Sequence, residues 1–363
     1  MTHLATSSTD SRLPRLEALQ RGARHLADPS HELGRQAREL LCASTGLSPQ
    51  GVDYALRNCL EHRVGRSTWS QLVRRRAPSP RAHVLLSANV FTAAFRAIGL
   101  ALTQSPHVFV RPSRREPEMA QLLCRASGGA FELVDSLSPE PPEPFWAYGT
   151  DETLAQIKDT LPGGVRFHAH GSGMGVAVFG PSVPRTSQGL DEATDRLAMD
   201  VVAFDQRGCL SPRVVLVEGD ADYAGAVAHS LARAFARWEQ RVPRGKLTQS
   251  ETADFLWYRD TMTYAAEALP AGKGLIVRDP VDDRVVVPPI GRVLHVTRTD
   301  SAEAALVRLA SRVVCVGMAG DETLEGRLRK AIGERRYVPL GAMQTPPLDG
   351  PVDLRAGWEA EIV

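Results

Sequence analysis

The sequence predicts an α/β protein: two doubly wound α/β lobes behind a helical amino-terminal region. Three observations carry this. Residues 1 to about 80 place apolar residues at helical spacing and contain no strand-like run. From His83, short apolar runs alternate with helical segments of about ten residues, the signature of βαβ units and a parallel sheet. A second series of the same kind begins at Gly175 and continues almost to the end. The expected divisions are a helical region at 1–80, a first α/β lobe at 81–175, a second α/β lobe at 176–338 and a tail at 339–363.

In the first region Leu16, Leu19, Ala23 and Leu26 fall on one helical face. Asp28-Pro29-Ser30 reads as a stop and a fresh N-cap, and Ser48-Pro49 starts a further helix. Arg74-Arg75-Arg76 reads as a solvated helix end. HVLLSANV, HVFVR, GAFELV, FWAYG and GVRFHAH are then strands, with helices between them. The crossovers should be right-handed, with ligands at the carboxyl ends of the strands. In the second series GVAVFG, RVVLVEG, LIVRD, RVVVP, RVLHVT and RVVCVG are strands. Helices are expected over 191–204, 220–240, 250–268, 301–310 and 321–333.

Composition narrows the function. A chain of 363 residues with 43% apolar and 23% charged residues is long enough to bury a core and is neither disordered nor fibrous. Forty-three basic against 42 acidic residues leave a net charge of +1, which argues against a general nucleic-acid binder. Five cysteines without a CxxC pair argue against a disulfide framework or structural zinc and fit a reducing cytosol. The first twenty residues hold no apolar run of signal-peptide type. The most apolar stretch, Val84 to Leu102, is interrupted by Asn89 and Arg96 and is not a membrane span.

Four segments could carry chemistry. Cys209 lies in DQRGCLSP, a tight turn between a helix and a strand. There Gly208 would supply an unusual backbone conformation and Pro212 would pin the exit. A thiol on such a turn can form thioesters, though a free Cys is more often a small buried hydrophobe. Cys42, Cys59, Cys124 and Cys315 sit in apolar patterns and read as core. HAHGSGMG offers glycines for close approach to a ligand, with His168 and His170 on one face of a strand and no third ligand for a metal. Arg111-Pro112-Ser113 stands at the end of a parallel strand, where a nucleotide ribose would lie or where a charged edge would be solvated. Tyr148-Gly149-Thr150 is a strand-to-helix turn that could face a cofactor, or Thr150 could simply cap its helix.

Taken together and in this order, these segments resemble the aldehyde dehydrogenase superfamily, and within it the LuxC-type acyl-CoA (fatty acyl thioester) reductases. The resemblance runs from about residue 30 to residue 356. DVVAFDQRGCLSPR at 200–213 is its most specific element and LGAMQTPPLDG at 340–350 a second. SANV followed by VRPSRREP is similar to the superfamily's asparagine turn and ribose-binding strand end. The resemblance implies an aldehyde-dehydrogenase-like fold and NADPH-dependent reduction of an acyl-CoA, or another acyl thioester, to a fatty aldehyde. Cys209 would form the acyl-enzyme and Asn89 would help to form the oxyanion hole. Arg111, Pro112, Ser113, Tyr148, Gly149, Thr150, His170 and Gly171 would contact NADPH, with NADH as the alternative.

The chain also departs from the superfamily. Hydrolytic members carry a glutamate in the strand that here reads FHAHGSG, whereas no carboxylate lies between Asp159 and Asp191. The segment Pro289 to Arg292 stands near the superfamily's late ribose contact. Two alternatives stay open: a CoA-acylating aldehyde dehydrogenase running oxidatively, and a non-reducing acyl carrier or transferase that uses Cys209. The expected partners are an acyl-CoA or acyl-protein thioester, and either a second copy of the chain or an acyl-transfer protein. Nucleic acid, a bound metal and an integral membrane segment are not expected, and the expected compartment is the cytoplasm.

Overall fold

A computed structural model describes residues 11–355. The first ten residues, read above for a leader, and residues 356–363 of the tail lie outside the described part. The amino-terminal region is helical: α1 (Arg12–Ala27), α2 (Glu32–Thr45), α3 (Pro49–Tyr54), a one-turn π-helix at Ala55–Cys59 and α4 (Arg66–Arg75). Leu16, Leu19, Ala23 and Leu26 are all completely buried, as their spacing predicts. His31, and not Ser30, caps α2: its ring accepts from the Leu33 N–H. The Ser30 hydroxyl is already spent on the Asp28 carboxylate at 2.7 Å.

The first sheet is formed by β1 (Ala82–Leu85), β2 (Val108–Arg111), β3 (Glu132–Leu133), β4 (Pro144–Tyr148) and β5 (Arg166–His170). The helices α5 (Ala93–Leu102), α6 (Glu118–Ala126) and α7 (Asp151–Thr160) connect them. All the pairings are parallel and the order is β3-β2-β1-β4-β5. The direction of winding reverses between β1 and β4, so a crevice opens at their carboxyl ends. Nine of the ten residues of α5 are buried, Arg96 among them, and Arg96 pairs with Glu61.

The second sheet has the order β12-β11-β6-β7-β10-β9-β8. Its strands are β6 (Met174–Phe179), β7 (Pro212–Glu218), β8 (Glu267–Ala271), β9 (Gly274–Arg278), β10 (Val293–Thr299), β11 (Val313–Ala319) and β12 (Arg336–Pro339). Only β8 runs antiparallel. The alternation of side chains sends Ala177, Phe179, Val215 and Val217 toward α8 (Ser187–Val202) and α9 (Ala221–Arg241). Val176, Val178, Val214 and Leu216 face α11 (Ala302–Leu309) and α12 (Glu322–Ile332). Helices therefore cover both faces. β5 ends at His170 and β6 starts at Met174, so three residues carry the chain from one sheet to the other.

Three sequence expectations are corrected. RVVVP is not a strand: β9 is already flanked by β8 and β10, so the valines fill gaps beside the core without a ladder to join. α10 (Gln249–Ala265) stops short of residue 268, because Glu267 onward pairs with β9 as β8. Arg76 is not a solvated helix end. Its guanidinium lies 5.1 Å from the Trp146 ring centroid, and burial lowers its pKa to about 10. Among the described residues, no helix is long and apolar enough to cross a membrane.

Candidate active site

The turn before Cys209 has an uncommon backbone. Phe204, Asp205 and Gln206 have φ of 53°, 50° and 70°, three consecutive non-glycine residues in the left-handed region. Each costs about 1–2 kcal/mol. Side-chain bonds from distant segments hold them there. Asp205 accepts from Arg292 Nε (3.0 Å) and Nη2 (2.7 Å) and from the Gly245 N–H (2.9 Å). Gln206 donates to the Pro212 and Val293 carbonyls and accepts from the Val293 N–H. Arg207 donates to both oxygens of Glu251. Gly208 does not have a positive φ, contrary to the expectation from sequence. Its fit is close, since a Cβ there would lie 3.1 Å from Val90 Cγ2 and the valine would have to give by a few tenths of an ångström.

Cys209 opens into a cavity of about 340 Å³ lying between the two sheets. Asn89, Tyr148, Gly149, Thr150, His170 and Gly171 line the same cavity. The carboxyl ends of β4 and β5 and the loop after β1 thus meet the turn at the amino end of β7. Asn89 Oδ1 accepts from Arg115 Nη2 at 3.1 Å, which leaves the amide N–H₂ as the group free to donate. Thr150 caps α7, its hydroxyl accepting from the Thr153 N–H.

Burial governs the electrostatics. It pushes the Cys209 thiol up to about 11, aided by the Asp353 carboxylate and opposed by Arg355. It pushes His168 down to about 2 and His170 down to about 4. Tyr148 is raised by the same cause. The aromatic rings of β4 and β5 stack in register: His168 on Trp146 at 3.9 Å, and His170 on Tyr148 at 4.5 Å. His170 Nε2 is buried and has no hydrogen-bond partner. Among the described residues no cluster of three His, Cys, Asp or Glu could hold a metal.

The glycines of HAHGSGMG serve packing at least as much as ligand approach. A Cβ on Gly173 would lie 2.3 Å from Val314 Cγ2, and one on Gly175 would lie 2.3 Å from the Leu210 carbonyl oxygen. Gly175 thus lets β6 run against the cysteine turn, and its N–H donates to the Ser211 carbonyl. Cys315 is buried in a cluster with Leu210 and Met343 beneath Cys209, and Cys59 lines the cavity. All five cysteines are free thiols.

Arg111, Pro112 and Ser113 stand at the end of β2, one strand from the reversal and outside the cavity lining. Arg292, expected near a ribose contact, is instead buried beneath the turn on Asp205. Sequence reasoning missed the tail as a wall of the site: Gln344, Pro346, Val352 and Asp353 all line the cavity. Asp200 draws the tail in by accepting from the Gly341 (2.6 Å) and Met343 (2.9 Å) N–H groups. Arg96 donates to the Pro346, Pro347 and Gly350 carbonyls. The available signal was one arginine inside an otherwise apolar helix.

The fold is that of the aldehyde dehydrogenases. An oxidoreductase from Marinobacter aquaeolei superposes with a TM-score of 0.70 at 14% identity, over 95% of this chain and 80% of that one. Lactaldehyde dehydrogenase from Escherichia coli does so with 0.69 at 14%, over 91% and 78%. Aldehyde dehydrogenase from Mycobacterium tuberculosis, solved with NAD+, gives 0.67 at 13%, over 92% and 78%. A comparison with curated proteins finds no significant match. The profile of the acyl-CoA reductase (LuxC) family matches residues 143–355, more than half of the length. The chain belongs to that family and is an enzyme, an oxidoreductase of acyl thioesters.

Proposed function

We propose that the protein reduces an acyl-CoA to an aldehyde through a covalent acyl-Cys209 intermediate, with NADPH as the preferred reductant. The observation that carries the reading is the shared cavity: the Cys209 thiol, the free amide of Asn89 and the ends of β4 and β5 converge on one space at the strand reversal. The crevice beside Gly149 suits a nicotinamide, since even a Cβ at that position would meet only the Thr153 and Leu154 side chains of its own turn, at 3.7 Å or more.

Cys209 Sγ attacks the thioester carbonyl, the bond to the CoA sulfur breaks, and an acyl-cysteine remains. Asn89 and the Cys209 N–H donate to the carbonyl oxygen as it gains charge. When bound, the reduced nicotinamide supplies a hydride to the acyl carbon. The carbon–sulfur bond to Cys209 then breaks, the aldehyde leaves and the thiol is restored by one proton. Arg111, at the end of β2, would hold the adenosine ribose, where a guanidinium suits a 2′-phosphate. The site supplies no carboxylate at the place where hydrolytic relatives carry one, so the acyl-enzyme is kept for hydride and not lost to water.

Intact-protein mass spectrometry tests this. Incubation with a medium- or long-chain acyl-CoA and no nucleotide should add one acyl group to Cys209, and NADPH should remove it as aldehyde appears. An adduct that survives both NADPH and NADH would make the protein an acyl carrier. No adduct with any acyl-CoA would refute the role of Cys209.

A further inference from the structure

Acylation of Cys209 leaves one proton to place. Burial sets the thiol near pKa 11, so at pH 7 roughly one thiol in ten thousand is ionised unaided. The carboxylates on the cavity wall are already committed. Glu61 pairs with Arg96, and both oxygens of Asp353 pair with Arg355. One basic atom nearby is uncommitted, His170 Nε2, buried and without a partner. His170 ends β5 and lines the same cavity as Cys209. Stacking on Tyr148 at 4.5 Å, with an interplanar angle of 13°, fixes the ring plane. His168 is one register pair back, flat on Trp146, and is not part of the cavity lining.

We propose that His170 is the general base for Cys209. This rests on the acyl-enzyme reading above. As Sγ attacks the thioester carbonyl, its proton passes to Nε2 of the neutral imidazole. When the bond to the CoA sulfur breaks, the imidazolium gives that proton to the departing thiolate, so CoA leaves as a thiol and His170 is neutral again. Burial keeps the resting ring neutral and ready to accept. The groups facing it are Asp353 from the tail, which favours the imidazolium, and Arg96 and Arg76, which oppose it, with the Tyr148 ring stacked alongside. Cys209 itself faces Asp353 and Arg355. A thiolate formed in the same buried cavity stabilises the imidazolium in turn, so the proton moves within a pair and not to water.

The test is the burst of CoA released from acyl-CoA without nucleotide, followed from pH 6 to 10 in the wild type, His170→Asn and His170→Ala, with melting curves to establish folding. The wild-type burst rate should level off below pH 7. The variants should lose about 10²- to 10⁴-fold at pH 7 and gain tenfold per pH unit toward the thiol pKa, with added imidazole restoring part of the His170→Ala rate. Folded variants with the wild-type rate and profile would overturn the role of His170 alone. If the variants do not fold, the wild-type profile decides. A rate that keeps climbing to pH 10 means that the thiol ionises without a base, which also overturns the proposal. A wild type that forms no acyl-Cys209 would instead refute the acyl-enzyme reading, and this inference with it.

Discussion

Replacing Arg292 with Met should destabilise the fold and disable the cysteine turn together. Arg292 and Asp205 are 2% and 1% exposed. The guanidinium also donates to Glu239 (3.1 Å) and to the Val242 carbonyl (2.6 Å). Methionine fills similar volume but leaves the buried Asp205 charge with one hydrogen bond, from the Gly245 N–H, and with Arg207 Nη1 3.8 Å away. Breaking a buried pair from one side costs about 3–5 kcal/mol. An unfolding entropy of about 2.1 cal/mol/K per residue gives roughly 0.8 kcal/mol/K for a chain of this length, so Tm should fall by about 4–7 °C. The three left-handed residues before Cys209 lose their clamp and can relax. A shift of about 1 Å at the nucleophile should cost about 10²-fold in acylation. Calorimetry and the CoA burst read the two effects. The double variant Asp205→Asn/Arg292→Met should regain much of the Tm but little of the burst, because the neutral amide removes the stranded charge without restoring the clamp. An Arg292→Met protein that melts with the wild type and acylates normally would refute the claim that this pair holds the turn.

Three further outcomes follow from the same geometry. Asn89→Ala should lower the CoA burst rate by about 10²- to 10³-fold with little change in Tm, because the donor is exposed and its loss is felt only as the oxyanion forms. Gly175→Ala should destabilise by about 1–3 kcal/mol and slow acylation, since the methyl would lie 2.3 Å from the Leu210 carbonyl oxygen and 2.7 Å from Met343 Cε. Acid should weaken the fold through the buried histidines. His168 and His170, held at about 2 and about 4, refuse the proton that the unfolded chain takes up below pH 6.5. Their contribution is complete above pH 6.5 and declines as pH falls, by about 1.4 kcal/mol per unit per group. Asp200, raised to about 7 by burial, works in the opposite direction. Denaturation at pH 7 and pH 5 should therefore compare the wild type with His168→Phe, which keeps the stack on Trp146. Equal pH slopes in the two proteins would refute the assignment.

What the sequence disclosed follows from which forces are local. The strands of both sheets read correctly where runs of β-branched and aromatic residues stood between turn signals, as in HVFVR and RVVCVG, whereas the similar run RVVVP finds no ladder to join. β8 was hidden because YAAEALPA has helical propensity, and only pairing with β9 turns it into an edge strand ending near Pro270. The cysteine turn was recognisable as a turn, but its conformation was not. Phe204 and Gln206 are poor left-handed residues, three in succession are rarer still, and the partners of Asp205 and Gln206, Arg292 and Val293, lie 87 positions away. Asp353, on the cavity wall, is farther still along the chain. A single sequence shows residues that suit their neighbours in the chain. It does not show residues whose conformation is imposed from across the fold.

That distinction also explains where the site sits. In an open parallel sheet, ligands collect at the carboxyl ends of the strands. Here Asn89, Thr150 and His170 occupy that position in the first sheet, yet Cys209 precedes β7 and stands at the amino end of the second. The two ends face each other because only Gly171, Ser172 and Gly173 separate β5 from β6. Gly173 and Gly175 then allow β6 to close against Val314 and the Leu210 carbonyl with no Cβ between. A seam between two sheets needs a third wall. The tail provides it, drawn in by Asp200 from the helix that leads to the turn and by Arg96 from the first sheet's own helix. One carboxylate and one guanidinium, each buried, thus tie the last described segment to both halves of the site. A change in the tail near Pro346 should therefore register at Cys209, although the two are more than a hundred residues apart in sequence.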